Sequence, residues 1–333
     1  MEKYQDFISV IIPCRNEEKF IGKCLDSIIF QDYPKESLEI LVVDGASEDR
    51  TKEIVKSYSE KYGFVKLLDN PQKYTPFALN IGIGAAKGDI IVRMDAHSGC
   101  EKDYLSKCVR YLKDYNADNV GGVIKTLPVE NTISAKSIAY CLSHPFGAGS
   151  SRFRTGIKEP TFVDTVFGGC YKREVFEKIG MFNENLKRSQ DLEFNLRLKK
   201  AGGKTLLVPD IISYYYPSVD FESFFRHNFL DGIWSVYPMK FVKMPFRLRH
   251  YLPFLFVSSL LVSGISGIFF PVFSLLFLSI AGLYFFTAVY FSFLAAFKEN
   301  DPKLFLALLI AFVIRHFGYG FGSVWGLIKL LRG

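Results

Sequence analysis

The chain has 333 residues, 49% of them hydrophobic, and a formal net charge of +7. The charge is dispersed, with 36 Lys+Arg against 32 Asp+Glu over residues 1–250 and 5 against 2 beyond, which is too mild for a nucleic-acid reader and suits anionic headgroups at a membrane edge. Cys14, Cys24, Cys100, Cys108, Cys141 and Cys170 never form a CxxC pair, so buried thiols are expected rather than a zinc site or a disulfide framework.

In chain order, residues 8–13 form an apolar run ended by proline, and Arg15-Asn16-Glu17-Glu18 then opens a helical pattern with Phe20, Ile21, Cys24, Leu25 and Ile28 on one face. The next apolar run, 38–43, ends at Asp44, and residues 51–62 are helical again. A short strand at 65–68, a helix at 76–86 and a strand at 90–94 follow, the last opened by Gly88-Asp89 and delivering Asp95 and His97. Strands alternating with helices at this spacing imply parallel pairing and a doubly wound α/β sheet. Asp44 and Asp95 then leave the same sheet edge, where such sheets bind ligands. There Asp44 can accept from a base N–H, and Asp95 can reach a ribose hydroxyl or a metal. Asp95 and His97 together can hold a divalent cation, or they are simply a polar strand exit. Neither GxGxxG nor GxxxxGK[ST] follows a strand, so neither a dinucleotide fold nor a P-loop is supported.

Residues 128–165 are polar, with glycines and serines near Arg152 and Arg154, and read as either a mobile loop over an acceptor or a surface connection. In 221–250, Trp234, Tyr237, Phe241 and Phe246 interleave with Lys240, Lys243 and Arg247, a pattern suited to a helix in the headgroup layer. Residues 251–297 carry no charged residue or histidine, enough for two spans turning at Gly264, Gly267 and Pro271; a third apolar stretch, 304–331, is interrupted by Arg315 and His316. Those two are costly against lipid, so they are expected to face protein, water or headgroups. The apolar run at 8–14 is too short for a signal-peptide core, and Lys240, Lys243, Arg247 and Arg249 before the first span, with Lys298 and Lys303 after the second, place the soluble part in the cytoplasm by the positive-inside rule.

Several ordered motifs resemble one family. Val10-Ile11-Ile12-Pro13-Cys14-Arg15-Asn16-Glu17, Val42-Val43-Asp44-Gly45-Ala46-Ser47, Ala78-Leu79-Asn80, Asp95-Ala96-His97, Gly168-Gly169-Cys170 and Gln190-Asp191-Leu192-Glu193 look like family 2 of the inverting glycosyltransferases. The resemblance covers most of residues 7–235 and is nearest to membrane-anchored transferases of the succinoglycan-elongating kind. It implies the GT-A fold, a nucleotide-diphospho-sugar donor such as a UDP-hexose, and a polyprenyl-linked acceptor in surface polysaccharide synthesis. With the apolar stretches and their flanking charges, it divides the chain into a catalytic domain at 1–220, an interfacial segment at 221–250 and about three transmembrane helices at 251–333, as expected of a multi-pass protein of the cell membrane. Residues matching Pro13, Asn16, Glu17, Asp44 and Asp95 line the donor pocket in that family. Asp95 and His97 stand at its metal motif, where histidine in place of the second aspartate favours Mn²⁺ over Mg²⁺. Asp191 matches the general base, with Gln190 replacing a glutamate. On the acceptor side stand Glu193, the lesser candidate for the base, with Gly169, Arg226, His227 and Trp234. Arg226 and His227 read as a pyrophosphate contact or a solvated basic face. Ile233, not Arg, precedes Trp234, which argues against processive synthesis. Two other readings stay open: a polyprenyl-phosphate sugar synthase, and a membrane module that binds nucleotide sugars without turnover.

Overall fold

The computed structural model describes residues 6–217, 219–242 and 248–332, and not the side chains of 248–250. Lys243, Phe246 and Arg247, and the side chain of Arg249, lie outside the described residues. The elements run β1 (Ile8–Cys14), α1 (Ile21–Ile29), β2 (Leu38–Asp44), α2 (Thr51–Lys61), β3 (Val65–Asp69), α3 (Thr75–Ala85), β4 (Ile90–Arg93), β5 (Ser98–Cys100), α4 (Tyr104–Asp114) and β6 (Asn119–Thr126). Three helices follow, α5 (Ile133–Ser143), α6 (Pro145–Ala148) and α7 (Arg152–Thr155), then β7 (Thr161–Val163), β8 (Cys170–Lys172), α8 (Glu174–Ile179), α9 (Gln190–Lys200) and β9 (Thr205–Tyr215). The chain closes with α10 (Phe221–Val236), α11 (Leu248–Gly267), α12 (Pro271–Lys298) and α13 (Lys303–Leu331).

Two compact units result, one of residues 1–125 and 156–215, the other of 126–155 and 216–333. In the first, nine strands make a sheet of order β3-β2-β1-β4-β8-β6-β9-β5, with β7 on β9. The half expected from the sequence is parallel: β1 lies between β2 and β4 and β3 flanks β2, so the carboxyl ends of β2 and β4 emerge on one edge. The other half departs from a purely doubly wound sheet, because β8 runs antiparallel to β4 and β6, and β5 and β7 run antiparallel to β9. β1 and β2 are apolar almost throughout because helices cover both faces of a central parallel strand. One core cluster holds Val10, Ile12, Val42 and Val92, the other Ile11, Val43, Ile91 and Phe194. All six cysteines are buried free thiols, as expected.

Half of the stretch read as a loop at 128–165 is helical, in α5, α6 and α7. Thr132 caps α5 by accepting from the Ala135 N–H, and Ala135, Ile138, Ala139 and Leu142 give it a buried face, so residues 126–155 pack in the helical unit rather than with the sheet. Along α13, Gly322 and Gly326 meet the backbone of α10 so closely that a Cβ at either would run into the Phe229 or Ile233 carbonyl. α10, expected in the headgroup layer, is thus packed along α13 over one face.

α12 and α13 are long and apolar enough to cross a membrane, while the apolar part of α11, Tyr251–Gly267, spans only about 25 Å at the helical rise. The turn between α11 and α12 is Ile268-Phe269-Phe270, all strongly exposed. Its three N–H groups bond to Ile265 and Ser266 carbonyls, and the Ser274 hydroxyl donates to Gly267. The turn therefore leaves no backbone donor needing water.

Candidate active site

Two loops at the parallel edge are laced together by side chain to backbone bonds. The Asn16 and Glu17 N–H groups donate to Ser47 Oγ (2.9 Å) and Thr51 Oγ1 (2.7 Å), and Asn16 Oδ1 accepts from the Glu48 N–H (2.8 Å). Asn16 (φ 56°) and Ala46 (φ 54°) both sit in the left-handed region, a cost borne where the loops turn back on themselves. Asp44 is buried and holds the second loop, accepting from the Ser47 hydroxyl (2.5 Å) and N–H (3.1 Å). Pro13 stands beside Val43 in register, one residue before the strand ends.

At the end of β4 the Arg93 guanidinium lies between two carboxylates, Asp95 Oδ1 at 3.0 Å from Nη2 and Asp191 Oδ2 at 3.8 Å from Nη1. Burial works against its charge, but Asp95 and then Asp191 outweigh that and hold it firmly protonated. The Asp95 carboxyl is likewise raised by burial and lowered more by Arg93 and His97, so it stays ionised below the usual carboxylate range. Arg93 Nε is buried without a hydrogen-bond partner among the described residues, an N–H left for an incoming acceptor. Arg93 is the site residue that the sequence reading missed; its signal was one cation inside an apolar strand.

His97 follows in the turn that closes with Ser98 N–H on the Asp95 carbonyl. Its Nδ1 meets Glu17 Oε1 at 3.0 Å, and its ring edge stands against Tyr215 with centroids 5.5 Å apart. Burial lowers its basicity and the Glu17 carboxylate more than restores it. A Glu17-bound Nδ1–H leaves the Nε2 lone pair as a ligand, the carboxylate–histidine–metal arrangement. With the Asp95 carboxylate as a hard oxygen donor, this donor set fits a divalent cation with two protein ligands. No group of three or more His, Cys, Asp or Glu able to hold a metal occurs among the described residues.

Asp191 lies in the first turn of α9, entered through Ser189 in the left-handed region (φ 57°). Its side chain is 44% exposed, and Oδ1 accepts from the Leu192 N–H at 2.8 Å. Glu193 points elsewhere: it is buried and held by Arg197 through both oxygens (2.6 and 3.0 Å), and Arg197 also donates to the Ile179 and Met181 carbonyls. It braces the loop before α9 and is not an open base. Gly169, with φ +108°, passes its carbonyl to the Arg93 N–H at 2.9 Å, and a Cβ there would meet the Tyr171 ring at 2.5 Å. It sets the backbone beside Arg93. Arg226, His227 and Trp234 belong to the helical unit, on α10: Arg226 is exposed, His227 pairs with Asp231 at 3.2 Å, and Trp234 packs on Tyr237 at 4.8 Å.

Comparison with known proteins agrees with this fold. The model of glycosyl transferase family 2 matches residues 9–180. A dolichyl N-acetyl-alpha-D-glucosaminyl phosphate 3-beta-D-2,3-diacetamido-2,3-dideoxy-beta-D-glucuronosyltransferase of Methanococcus voltae is 32% identical over 97% of this chain and 98% of its own. The succinoglycan biosynthesis protein ExoA of Rhizobium meliloti is 24% identical over 71% of this chain and 76% of its own. Among solved structures, mannosyltransferase PcManGT from Pyrobaculum calidifontis, in complex with GDP-Man and Mn²⁺, superposes with a TM-score of 0.61 at 20% identity, covering 98% of this chain and 88% of that one. The chain belongs to glycosyl transferase family 2 and is a glycosyltransferase of the GT-A fold.

Proposed function

We propose that this enzyme transfers a sugar from a nucleotide sugar, a UDP-hexose in the first instance, to a saccharide carried on a polyprenyl phosphate or diphosphate, with inversion at the anomeric carbon, in surface-glycan synthesis. The observation that carries the reading is the one guanidinium shared by Asp95 and Asp191, which supports a donor diphosphate and a base working side by side. The acceptor class is supported by the Methanococcus voltae relative, whose name specifies a dolichyl-linked sugar phosphate. A lipid-bound acceptor also gives α12 and α13 a reason to be apolar, since the enzyme stays at the membrane, and Lys240, Lys298 and Lys303 beside the apolar stretches support a catalytic unit on the cytoplasmic face.

In this reading the laced loops around Asp44 and Asn16 hold the base and ribose, and the orphaned Arg93 N–H donates to a diphosphate oxygen. Asp95 and His97 would hold Mn²⁺ or Mg²⁺, which when bound neutralises charge on the leaving diphosphate. Asp191 takes the acceptor hydroxyl proton on Oδ2. The acceptor oxygen bonds to the anomeric carbon as the bond to the diphosphate breaks, and the electron pair leaves on the nucleoside diphosphate. Arg93 also positions Asp191, its Nη1 lying 3.8 Å from Oδ2.

The test is nucleoside diphosphate release from UDP- and GDP-sugars by detergent-purified protein with Mn²⁺, with and without a polyprenyl-linked acceptor. Release should need the acceptor and fall at least about a hundredfold in Asp95→Asn and Asp191→Asn. Full activity in Asp191→Asn would remove it as the base and favour a lipid phosphate acceptor, which is already an anion.

A further inference from the structure

The helical unit contains a cavity of about 340 Å³ whose lining changes character from one side to the other. Leu252, Pro253 and Phe256 of α11 make an apolar wall, and Arg315 of α13 makes a cationic one. Arg315 donates from Nε to the Gly147 carbonyl (3.2 Å) and from Nη1 to Asn228 Oδ1, and its guanidinium lies 5.5 Å from the Tyr319 ring. All of these partners are neutral, and no carboxylate lies within ion-pair distance of Arg315 among the described residues. His316 does not share the work: its Nε2 meets the Phe146 carbonyl (2.8 Å) and its Nδ1 the Tyr284 hydroxyl (3.0 Å), so both nitrogens are occupied and it serves to fix the wall. A cation on a helix apolar enough to cross a membrane, lacking an anion and facing a cavity, is what an anionic ligand would complete. The apolar wall on α11 suits a ligand that carries a hydrocarbon tail.

We propose that this cavity binds the phosphate headgroup of a prenyl lipid, with Arg315 as the anion-binding group and α11 holding the first isoprene units. The proposal rests on the acceptor reading above and names the site where the lipid end of that acceptor is held. It is tested by binding rather than turnover, so the two can fail separately. Full-length protein in phosphatidylcholine nanodiscs is titrated with farnesyl phosphate, farnesol and inorganic phosphate, with UDP binding as the control for folding.

Farnesyl phosphate should bind wild type and weaken at least about tenfold in Arg315→Gln, as expected for loss of a charge-assisted contact, while Arg315→Lys keeps most of the affinity. Leu252→Trp, which fills the cavity and leaves the charge, should weaken it as well; it carries the test if Arg315→Gln does not fold. Unchanged affinity in both Arg315→Gln and Leu252→Trp overturns the proposal. So does inorganic phosphate binding as tightly as farnesyl phosphate, which would make this a free-anion site, or farnesol binding as tightly, which would make it an apolar pocket. Farnesyl phosphate binding of this pattern in a protein that turns over no donor supports the pocket and counts against the transfer reading.

Discussion

Arg93 and Arg315 are both guanidinium groups drawn out of bulk water, one at the end of β4 and the other midway along α13, and the chain neutralises only the first. Arg93 has Asp95 at 3.0 Å and Asp191 at 3.8 Å, whereas Arg315 has a carbonyl, an amide oxygen and an aromatic face. A buried charge that the fold pairs with carboxylates belongs to a preorganised centre. One given only neutral acceptors is held in place and left electrostatically open. The charge of Arg93 is thus balanced within the chain, and that of Arg315 is not.

The contrast breaks most sharply at Arg93. In Arg93→Met two carboxylates are left without their cation, one of them only 18% exposed, and the expected cost is about 3–5 kcal/mol in chemical denaturation, with activity down at least about a hundredfold. Adding Asp95→Asn should recover part of the stability and none of the activity. A double variant as unstable as Arg93→Met alone would mean that packing, not charge, is what Arg93 supplies.

The helical unit draws its stability from close approach instead of charge, so its weak point is a glycine. Gly322→Val would push a side chain into the Phe229 carbonyl of α10, and a loss of about 1–3 kcal/mol is expected, read as a lowered thermal midpoint in detergent. Gly282, which has open space around it on α12, is the matched control, and Gly282→Val should move the midpoint far less.

The sheet unit's compensation extends to Glu39 of β2, a carboxylate 3% exposed. Burial raises its pKa, but the Ser9 hydroxyl (2.7 Å), the Lys87 N–H (2.6 Å) and Lys66 (3.1 Å) more than offset this and leave it below the usual value. A carboxyl lowered on folding adds stability that is present above its unfolded pKa of about 4.3 and is lost as pH falls through the folded value. The loss should be about 1 kcal/mol between pH 5 and strong acid, measured as the difference between wild type and Glu39→Gln, after allowing for the half-solvated Lys66.

The parallel half of the sheet was legible because β1, β2 and β4 are apolar runs alternating with helical patterns, so the edge carrying Asp44 and Asp95 followed from alternation alone. Arg93 was not, because it sits inside such a run and one of its two partners is Asp191, far along the chain. The Glu17–His97 pair is equally remote in sequence. α5 was hidden by its own composition: a buried face built from alanines, an isoleucine and a leucine looks like a polar loop until it has something to pack on. Glu193 could have been read, since Arg197 stands four residues on, the spacing at which a helix pairs opposite charges.

The smallest effect is the most discriminating. If Arg315 is electrostatically open, removing its charge relieves a desolvation cost about as large as the two hydrogen bonds lost, so Arg315→Met should change stability by no more than about 0.5 kcal/mol without ligand, against several for Arg93→Met. Farnesyl phosphate should then raise the thermal midpoint of wild type and leave that of Arg315→Met unmoved, since a ligand stabilises only the folded state that binds it. A large loss in ligand-free Arg315→Met would make the two arginines alike, both structural, and the difference between the units would reduce to which partner each had found within the chain.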